Sequence, residues 1–344
     1  MSVRIGFAEL AGLIAQAFQR HGCSAEVARI IAHNMVTAEQ DGAKSHGVFR
    51  IPAYLNSLDA GWVDGAAVPV VEDVAPGMLR GDGRNGFALP VLERACPALL
   101  DKARANGIAI LTVRNAHHFS AVWPDVEPFA RDGFIAMAMI NSMSSVVPHG
   151  GHGKLYGTNP LGFAAPRAGG DPLVFDQASS ALSNGDVQIA ARERHQLPPN
   201  SGVDRHGNPT TDPKAVLDGG ALLSFGGYKG SSVGMMMEIM AAGLAGGRFS
   251  YEVDFSQHPG AATPNTAQTY IVIDPDRGSL TDFAARIEAL IGEIHDAGQD
   301  RLPGDRRYAN RREAVANGIP LSDEEYAMVR RYAEGQVDPS PQLR

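Results

Sequence analysis

The chain has 344 residues, of which 44% are hydrophobic and 20% charged, and its formal net charge is -8. That composition fits a globular chain with a large core divided among two or three lobes, and a broad acidic surface argues against nucleic acid and anionic membranes as main partners. Two cysteines far apart, Cys23 and Cys96, exclude a disulfide framework and fit a reducing, cytoplasmic setting.

From the N-terminus, Phe7, Leu10, Leu13, Ile14, Ala17 and Phe18 recur at helical spacing over 6–20. Glu9 inside this pattern suits a folded amphipathic helix rather than a secretion signal. A second helix is predicted over 25–39 with Ser24 as N-cap, and a third over 47–59 with Pro52 in its first turn. A hairpin is predicted between Val70–Val74 and Met78–Arg80 around the Pro76-Gly77 turn. Strands are predicted at 108–113, 134–140, 161–165, 172–175 and 270–273, with helices near 87–106, 123–132 and 229–245. The last of these contains GMMMEIMAAGLAGG, which Glu238 interrupts, leaving it short of the ~18 apolar residues a membrane span requires. Residues 197–227, rich in Pro, Gly, Asp and Asn, read as an ordered excursion or hairpin arm. Helical spacing returns over 281–298 and 322–334, and the tail VDPSPQLR is expected to fray.

Residues 81–86, GDGRNG, match the G-x-G-x-x-G dinucleotide fingerprint in letters. The context does not match. Only Met78–Arg80 remain for a preceding strand after Pro76-Gly77, and the next strand ends in Arg114-Asn115 where an acid would hold a ribose. Arg114 leaves a 2′-phosphate reading open, but the motif is read as a turn with positive backbone dihedrals that enters the helix at 87–106.

Five other segments carry residues suited to chemistry. In DGAKSHGVFR, His46 can donate a proton near neutral pH, and Arg50, on the same face if the segment is helical, can grip a carboxylate. NAHHFSAVW places His117 and His118 in a strand-to-helix loop, while His149 and His152 of PHGGHG lack a third metal ligand. Asp176 ends a strand, and Asp186 follows an Asn-Gly turn where an acid can orient an imidazole. Tyr228 and Lys229 open a helix, and Arg301, Arg306 and Arg307 crowd a Pro-Gly turn, a cluster that suits an anion. On spacing alone each is equally a capped helix start, a turn or a solvated loop. Together they suit an enzyme with an anionic substrate without fixing the reaction.

These segments occur together and in order: DGAKSHGVFRIPAYLNSLDAGWVDG, HHFSAVWPDVEPFA, NSMSSVVPHG, GTNPLGFAAPRAGG, NGDVQIAAR, DGGALLSFGGYKG and GQDRLPGDRRY. Over about residues 5–335 the chain resembles the malate/L-lactate dehydrogenase-like oxidoreductases that lack a Rossmann fold. NSMSSVVPHG inclines the resemblance toward their Δ1-piperideine-2-carboxylate/Δ1-pyrroline-2-carboxylate reductase branch, with a 2-hydroxyacid dehydrogenase as the rival reading. The resemblance implies an α/β fold (α+β) with a mostly antiparallel sheet flanked by helices. It implies a helical domain from both chain ends, 1–68 and 280–344, and an NADPH- and substrate-binding domain over 69–279 with the excursion at 197–227. It implies NADPH-dependent reduction of a cyclic imine carboxylate in a homodimer without a metal. His46 would be the proton donor, with Ser45 and Asp186 completing a relay. Arg50 and Thr158 would hold the substrate. Cofactor contacts would come from His118, Phe119, Ser120, Ala121 and Val122, from Asp176, Gln177 and Ala178, and from Tyr228 and Lys229. A last group would lie in the stretch Arg301, Leu302, Pro303, Gly304, Asp305, Arg306 and Arg307.

Overall fold

In the computed structural model, which describes residues 2–336, strand β1 (Ser2–Ile5) leads into helices α1 (Phe7–Arg20) and α2 (Ala25–Gln40). The tail expected to fray lies outside the described residues. Leu10, Ile14, Ala17 and Phe18 form the buried face of α1, and the Ser24 hydroxyl caps α2 by accepting from Val27 N at 3.2 Å. Two 3-10 turns, Lys44–His46 and Val48–Arg50, run straight into α3 (Ile51–Asp59). The shared helical face imagined for His46 and Arg50 is therefore replaced by two tight turns hinged at Gly47.

Next come β2 (Val70–Ala75), β3 (Met78–Phe87), α4 (Ala88–Asn106), β4 (Ile108–His117), α5 (Trp123–Arg131), β5 (Ile135–Ile140), β6 (Leu161–Ala165) and β7 (Leu173–Gln177). Helix α6 (Asn184–Glu193) precedes the excursion, which is ordered. Its β8 (Gly202–Val203), β9 (Pro209–Thr210) and β10 (Ala221–Leu222) form a small sheet beside α7 (Pro213–Leu217). Then follow α8 (Tyr228–Glu238), a π-helical turn at Ile239–Gly243, β11 (Asn265–Ile273), α9 (Pro275–Gly278), α10 (Phe283–Asp296), α11 (Asp305–Asn317), β12 (Ile319–Ser322) and α12 (Asp323–Glu334).

One seven-stranded sheet, in the order β2-β3-β4-β11-β5-β6-β7, organises the middle of the chain. Five of its neighbour pairs are antiparallel, and β3 with β4 is parallel. Leu79, Leu111, Val113 and Tyr270 from the sheet pack with Val91 and Leu99 of α4 and Phe129 of α5. A second core joins the chain ends: Leu10, Phe18, Ile31 and Tyr54 meet Ile319, Leu321 and Val329, and β1 pairs with β12.

The structure corrects the reading of GDGRNG as a turn. Strand β3 runs through the hexapeptide, and the expected hairpin with β2 is its other edge. A bulge between Asp82 and Gly86 carries the positive dihedrals, at Arg84 (φ 51) and Asn85 (φ 64) rather than at a glycine. The glycines serve close approach. A Cβ on Gly83 would lie 2.6 Å from Ala116 Cβ, and one on Gly86 2.7 Å from Ala67 Cβ. Phe87 and Leu89, where α4 begins, are buried in the chain-end core. That helix start is filled by packing.

Candidate active site

The turn holding Ser45 and His46 is shaped from beneath by Glu39, a buried carboxylate of α2. Glu39 pairs with Lys44, and its Oε2 accepts from Val48 N at 2.9 Å. Gly47 makes this approach possible, since a Cβ there would overlap Glu39 Oε2. The turn carries Ser45, whose Oγ lies 3.0 Å from His46 Nδ1, leaving the other ring nitrogen, Nε2, free for the cleft. Burial together with the positive charges of Arg50 and Arg307 and the nearby His118 pushes His46 down to about 3.

Arg50 is 6% exposed, and among the described residues no carboxylate lies within ion-pair distance of it. Its Nε donates to Ser45 O at 2.7 Å, and its guanidinium carbon sits 4.1 Å from the Phe119 ring centroid. Burial lowers it to about 10. The guanidinium thus keeps its Nη groups for an anion that the chain itself does not supply. Gly185, at the start of α6, lets the backbone pass close by. A Cβ there would sit 2.8 Å from Arg50 Nη2 and 3.2 Å from Ser45 Cβ.

Two connected spaces meet at His46. The inner one, about 70 Å³, is lined by His46, Arg50, His118, Phe119, Ser120 and Thr158, and by Asn141, Ser142, Met143 and Ser145. The outer cleft, about 800 Å³, shares His46, Ser120 and Thr158 and extends along Ala121, Val122, Asp176, Gln177 and Ala178 to Arg306 and Arg307. Asp186 and Ser45 also face this cleft. Among the described residues Asp186 makes no hydrogen bond to either Ser45 or His46; its own N–H donates to Ser183 Oγ at 3.0 Å.

His118 is buried and lies against Asp125, with Nε2 2.8 Å from Asp125 Oδ2, which also accepts from Tyr270 OH at 3.0 Å. His117 turns the other way, into a cluster with Asn85 and Thr263, where burial pushes it down to about 3. Neither joins a metal site, and among the described residues no group of three metal-ligating side chains exists.

At the far end, Arg307 Nη2 donates to Asp176 Oδ1 at 2.8 Å, and Asp176 Oδ2 accepts from Val122 N at 3.0 Å. Arg307 also stacks over Trp123, 4.4 Å from the ring centroid. Its Nη1 is buried with no hydrogen-bond partner, an orphan cationic donor at the end of a long cleft. Sequence reasoning reached Arg306 and Arg307 but missed the ion-pair knot that brings them here. Arg311 binds Asp41 of the α2 C-cap (Nη2–Oδ2 2.6 Å) and Glu127 of α5 (Nη1–Oε1 2.6 Å), docking α11 against α2 and α5.

Other expected residues lie elsewhere in this chain. Tyr228 and Lys229 are exposed at the start of α8 and do not line the His46 cleft. Arg301 is exposed, and Leu302, Pro303 and Asp305 border a separate recess of about 100 Å³. Gly304 (φ 94) turns the backbone against Val174 O, 2.9 Å from where a Cβ would lie. Asp305 Oδ2 accepts from Leu302 N at 2.8 Å, so this stretch shapes the turn before α11. Glu39, Gly185 and the Asn141–Ser145 loop were missed as individual residues. The run NSMSS, which pointed to the imine branch, was their nearest signal.

The profile of the malate/L-lactate dehydrogenase family matches residues 5–330. A Δ1-pyrroline-2-carboxylate/Δ1-piperideine-2-carboxylate reductase of Pseudomonas syringae pv. tomato is 55% identical over 318 residues, 92% of this chain and 93% of its own. A crystal structure of Δ1-piperideine-2-carboxylate reductase from the same organism superposes with a TM-score of 0.95 over 96% of this chain and 99% of the other, at 55% identity. A (2R)-3-sulfolactate dehydrogenase (NADP(+)) of Chromohalobacter salexigens is 35% identical over 98% of this chain and 100% of its own.

Proposed function

Starting from the fact that the chain belongs to the malate/L-lactate dehydrogenase family, we propose that it is an NADPH-dependent reductase of cyclic imine carboxylates, converting Δ1-piperideine-2-carboxylate to L-pipecolate and Δ1-pyrroline-2-carboxylate to L-proline. One observation carries this reading. A buried arginine without a carboxylate partner stands beside His46 in a small chamber, and the chamber opens into a cleft that ends at an unpartnered arginine N–H. The 55% identity to a reductase of these imines, against 35% to a hydroxyacid dehydrogenase, favours C=N over C=O as the reduced bond.

The cleft fits a nicotinamide dinucleotide. Its length suits an extended ligand, and Arg306 with the free Nη1 of Arg307 suits a phosphate. When bound, NADPH supplies a hydride to the imine carbon. Arg50 holds the substrate carboxylate through its Nη groups, and Thr158, lining the same chamber, helps fix the carbon that is attacked. His46 gives the proton to the substrate nitrogen from Nε2, because Nδ1 faces Ser45. Without substrate His46 is held neutral, in part by Arg50. A carboxylate seated on Arg50 offsets that charge and lifts His46 toward its ordinary range, so protonation follows binding. Ser45 and Asp186, which face the same cleft as His46, complete the relay.

Tyr228 and Lys229, outside this chain's cleft, open a helix whose outer face, with the π-helical turn after it, exposes Met235, Met236 and Ile239. We assign that face to a homodimer contact. The helical domain of 1–68 and 280–344 is supported by the core shared between the chain ends. Among the described residues no helix is long and apolar enough to cross a membrane. We assign the enzyme to the cytoplasm, a reading that its two free cysteines support.

The site assignment is tested with His46→Ala and Arg50→Ala in the purified enzyme. His46→Ala is expected to lower kcat at least 100-fold and leave NADPH binding, followed by fluorescence, unchanged. Turnover undiminished in His46→Ala contradicts the assignment.

A further inference from the structure

The apolar run at the end of α8 is broken by one acid. Glu238 is the last residue of α8, immediately before the π-helical turn, and is 6% exposed. A buried carboxylate that gathers no cation must gather hydrogen-bond donors. Glu238 has four of them and no basic side chain. Oε1 accepts from Asn159 Nδ2 at 2.7 Å and from Ser250 Oγ. Oε2 accepts from Ser250 N at 3.1 Å and Asn141 Nδ2 at 3.4 Å.

Those donors lead to the inner chamber. Asn141, Ser142 and Thr158 all line it, and Thr158 is the residue before Asn159. Asn159 has a left-handed backbone (φ 35), and its Oδ1 accepts from Ser142 N at 3.0 Å. Asn159 is thus tied to the Asn141–Ser142 segment, and both asparagines to one carboxylate. Asn141 Oδ1 in turn accepts from Ala267 N at 3.0 Å, anchoring the wall to β11.

We propose that Glu238 is a positioning residue of the substrate chamber: its carboxylate ties the Asn141–Ser142 segment to the Thr158–Asn159 segment, two adjoining stretches of the chamber's lining, and so sets the seat of the substrate ring. The clamp needs a group that only accepts. Each oxygen takes two donors, so an amide in its place turns an N–H toward donors in either orientation. This inference rests on the reading of the inner chamber as the substrate seat.

The test uses Glu238→Gln, nearly identical in size, and Ser250→Ala, which removes one donor and keeps the carboxylate. Steady-state constants for Δ1-piperideine-2-carboxylate are compared with NADPH dissociation read by fluorescence, on protein whose melting is also recorded. Glu238→Gln is expected to raise KM for the imine about tenfold and Ser250→Ala about threefold, with NADPH dissociation unchanged in both. A role in folding alone lowers the melting temperature and leaves the KM of the folded enzyme as in wild type. That result in Glu238→Gln, or in Ser250→Ala where Glu238→Gln does not fold, overturns the proposal. So does an equal loss of imine and NADPH affinity. Should wild-type enzyme reduce a 2-oxo acid in place of the imine, the functional reading fails, and the same KM comparison on that acid decides the clamp by itself.

Discussion

Arg50 and His46 act on each other before any substrate arrives. The arginine's positive charge helps keep the imidazole neutral, and the arginine has no acid within ion-pair distance among the described residues, only the more distant Asp186. Replacing Arg50 with Ala is therefore expected to raise the His46 pKa toward 6.5, seen by NMR titration of the ring. It should also raise KM for the imine roughly 10- to 100-fold, the worth of a lost charge-assisted contact. An unmoved His46 titration would show that the two charges do not communicate. Both His46 and His117 fall from 6.5 to about 3 on folding. Between those values the unfolded chain binds more protons than the folded one. The stability present above about pH 6.5 is then lost progressively as pH falls toward 3, which denaturant melts across this window would record. The histidine and arginine of SHGVFR were visible as a proton donor beside a carboxylate grip, but only the company of the other motifs separated that reading from a capped helix start. Gly185 was not, because the need for a bare backbone arises only when α6 folds against Arg50.

Elements explain why some motifs misled. GDGRNG reads as a phosphate loop or a turn because glycine is usually informative through its dihedrals. Here the glycines are informative through contact with β4 and with Ala67, and the bulge falls on Arg84 and Asn85. The parallel pairing of β3 with β4 was hidden because glycines and charges fill most of the strand. Gly83→Ala is expected to destabilise the fold by about 1–3 kcal/mol, from the forced contact with Ala116, while NADPH dissociation from the folded fraction stays unchanged. Weaker NADPH binding at an unchanged melting temperature would return the hexapeptide to the cofactor. At α11 the relation is reversed. Arg306 and Arg307 were visible as an arginine cluster, but their delivery depends on Arg311 bridging Asp41 and Glu127, partners remote in sequence. Arg311→Ala leaves the buried Asp41 without a cation, while Glu127 keeps only Arg131. A loss of about 3–5 kcal/mol in denaturant unfolding is expected, along with weaker NADPH binding.

Across the whole molecule, helices from both chain ends share one core, the sheet and α4 and α5 form another, and the cleft runs along the edge of the sheet toward α11. The order of motifs along the sequence conveyed this architecture better than periodicity did. Motif order reflects the complete fold, whereas periodicity reports one segment at a time. The exposed Met235 and Met236 on α8 and Ile239 of the following π-helical turn are expected to be covered by a second copy, so Met236→Lys should shift the mass measured by light scattering from dimer toward monomer. The central claim is that Arg50, His46 and the cleft are assembled for a cyclic imine carboxylate. The most direct measurement is NADPH oxidation by the purified protein with Δ1-piperideine-2-carboxylate and Δ1-pyrroline-2-carboxylate beside pyruvate, oxaloacetate and 3-sulfopyruvate. The account predicts that at least one imine is turned over with a higher kcat/KM than every 2-oxo acid. A higher kcat/KM on any of the 2-oxo acids than on both imines would contradict it.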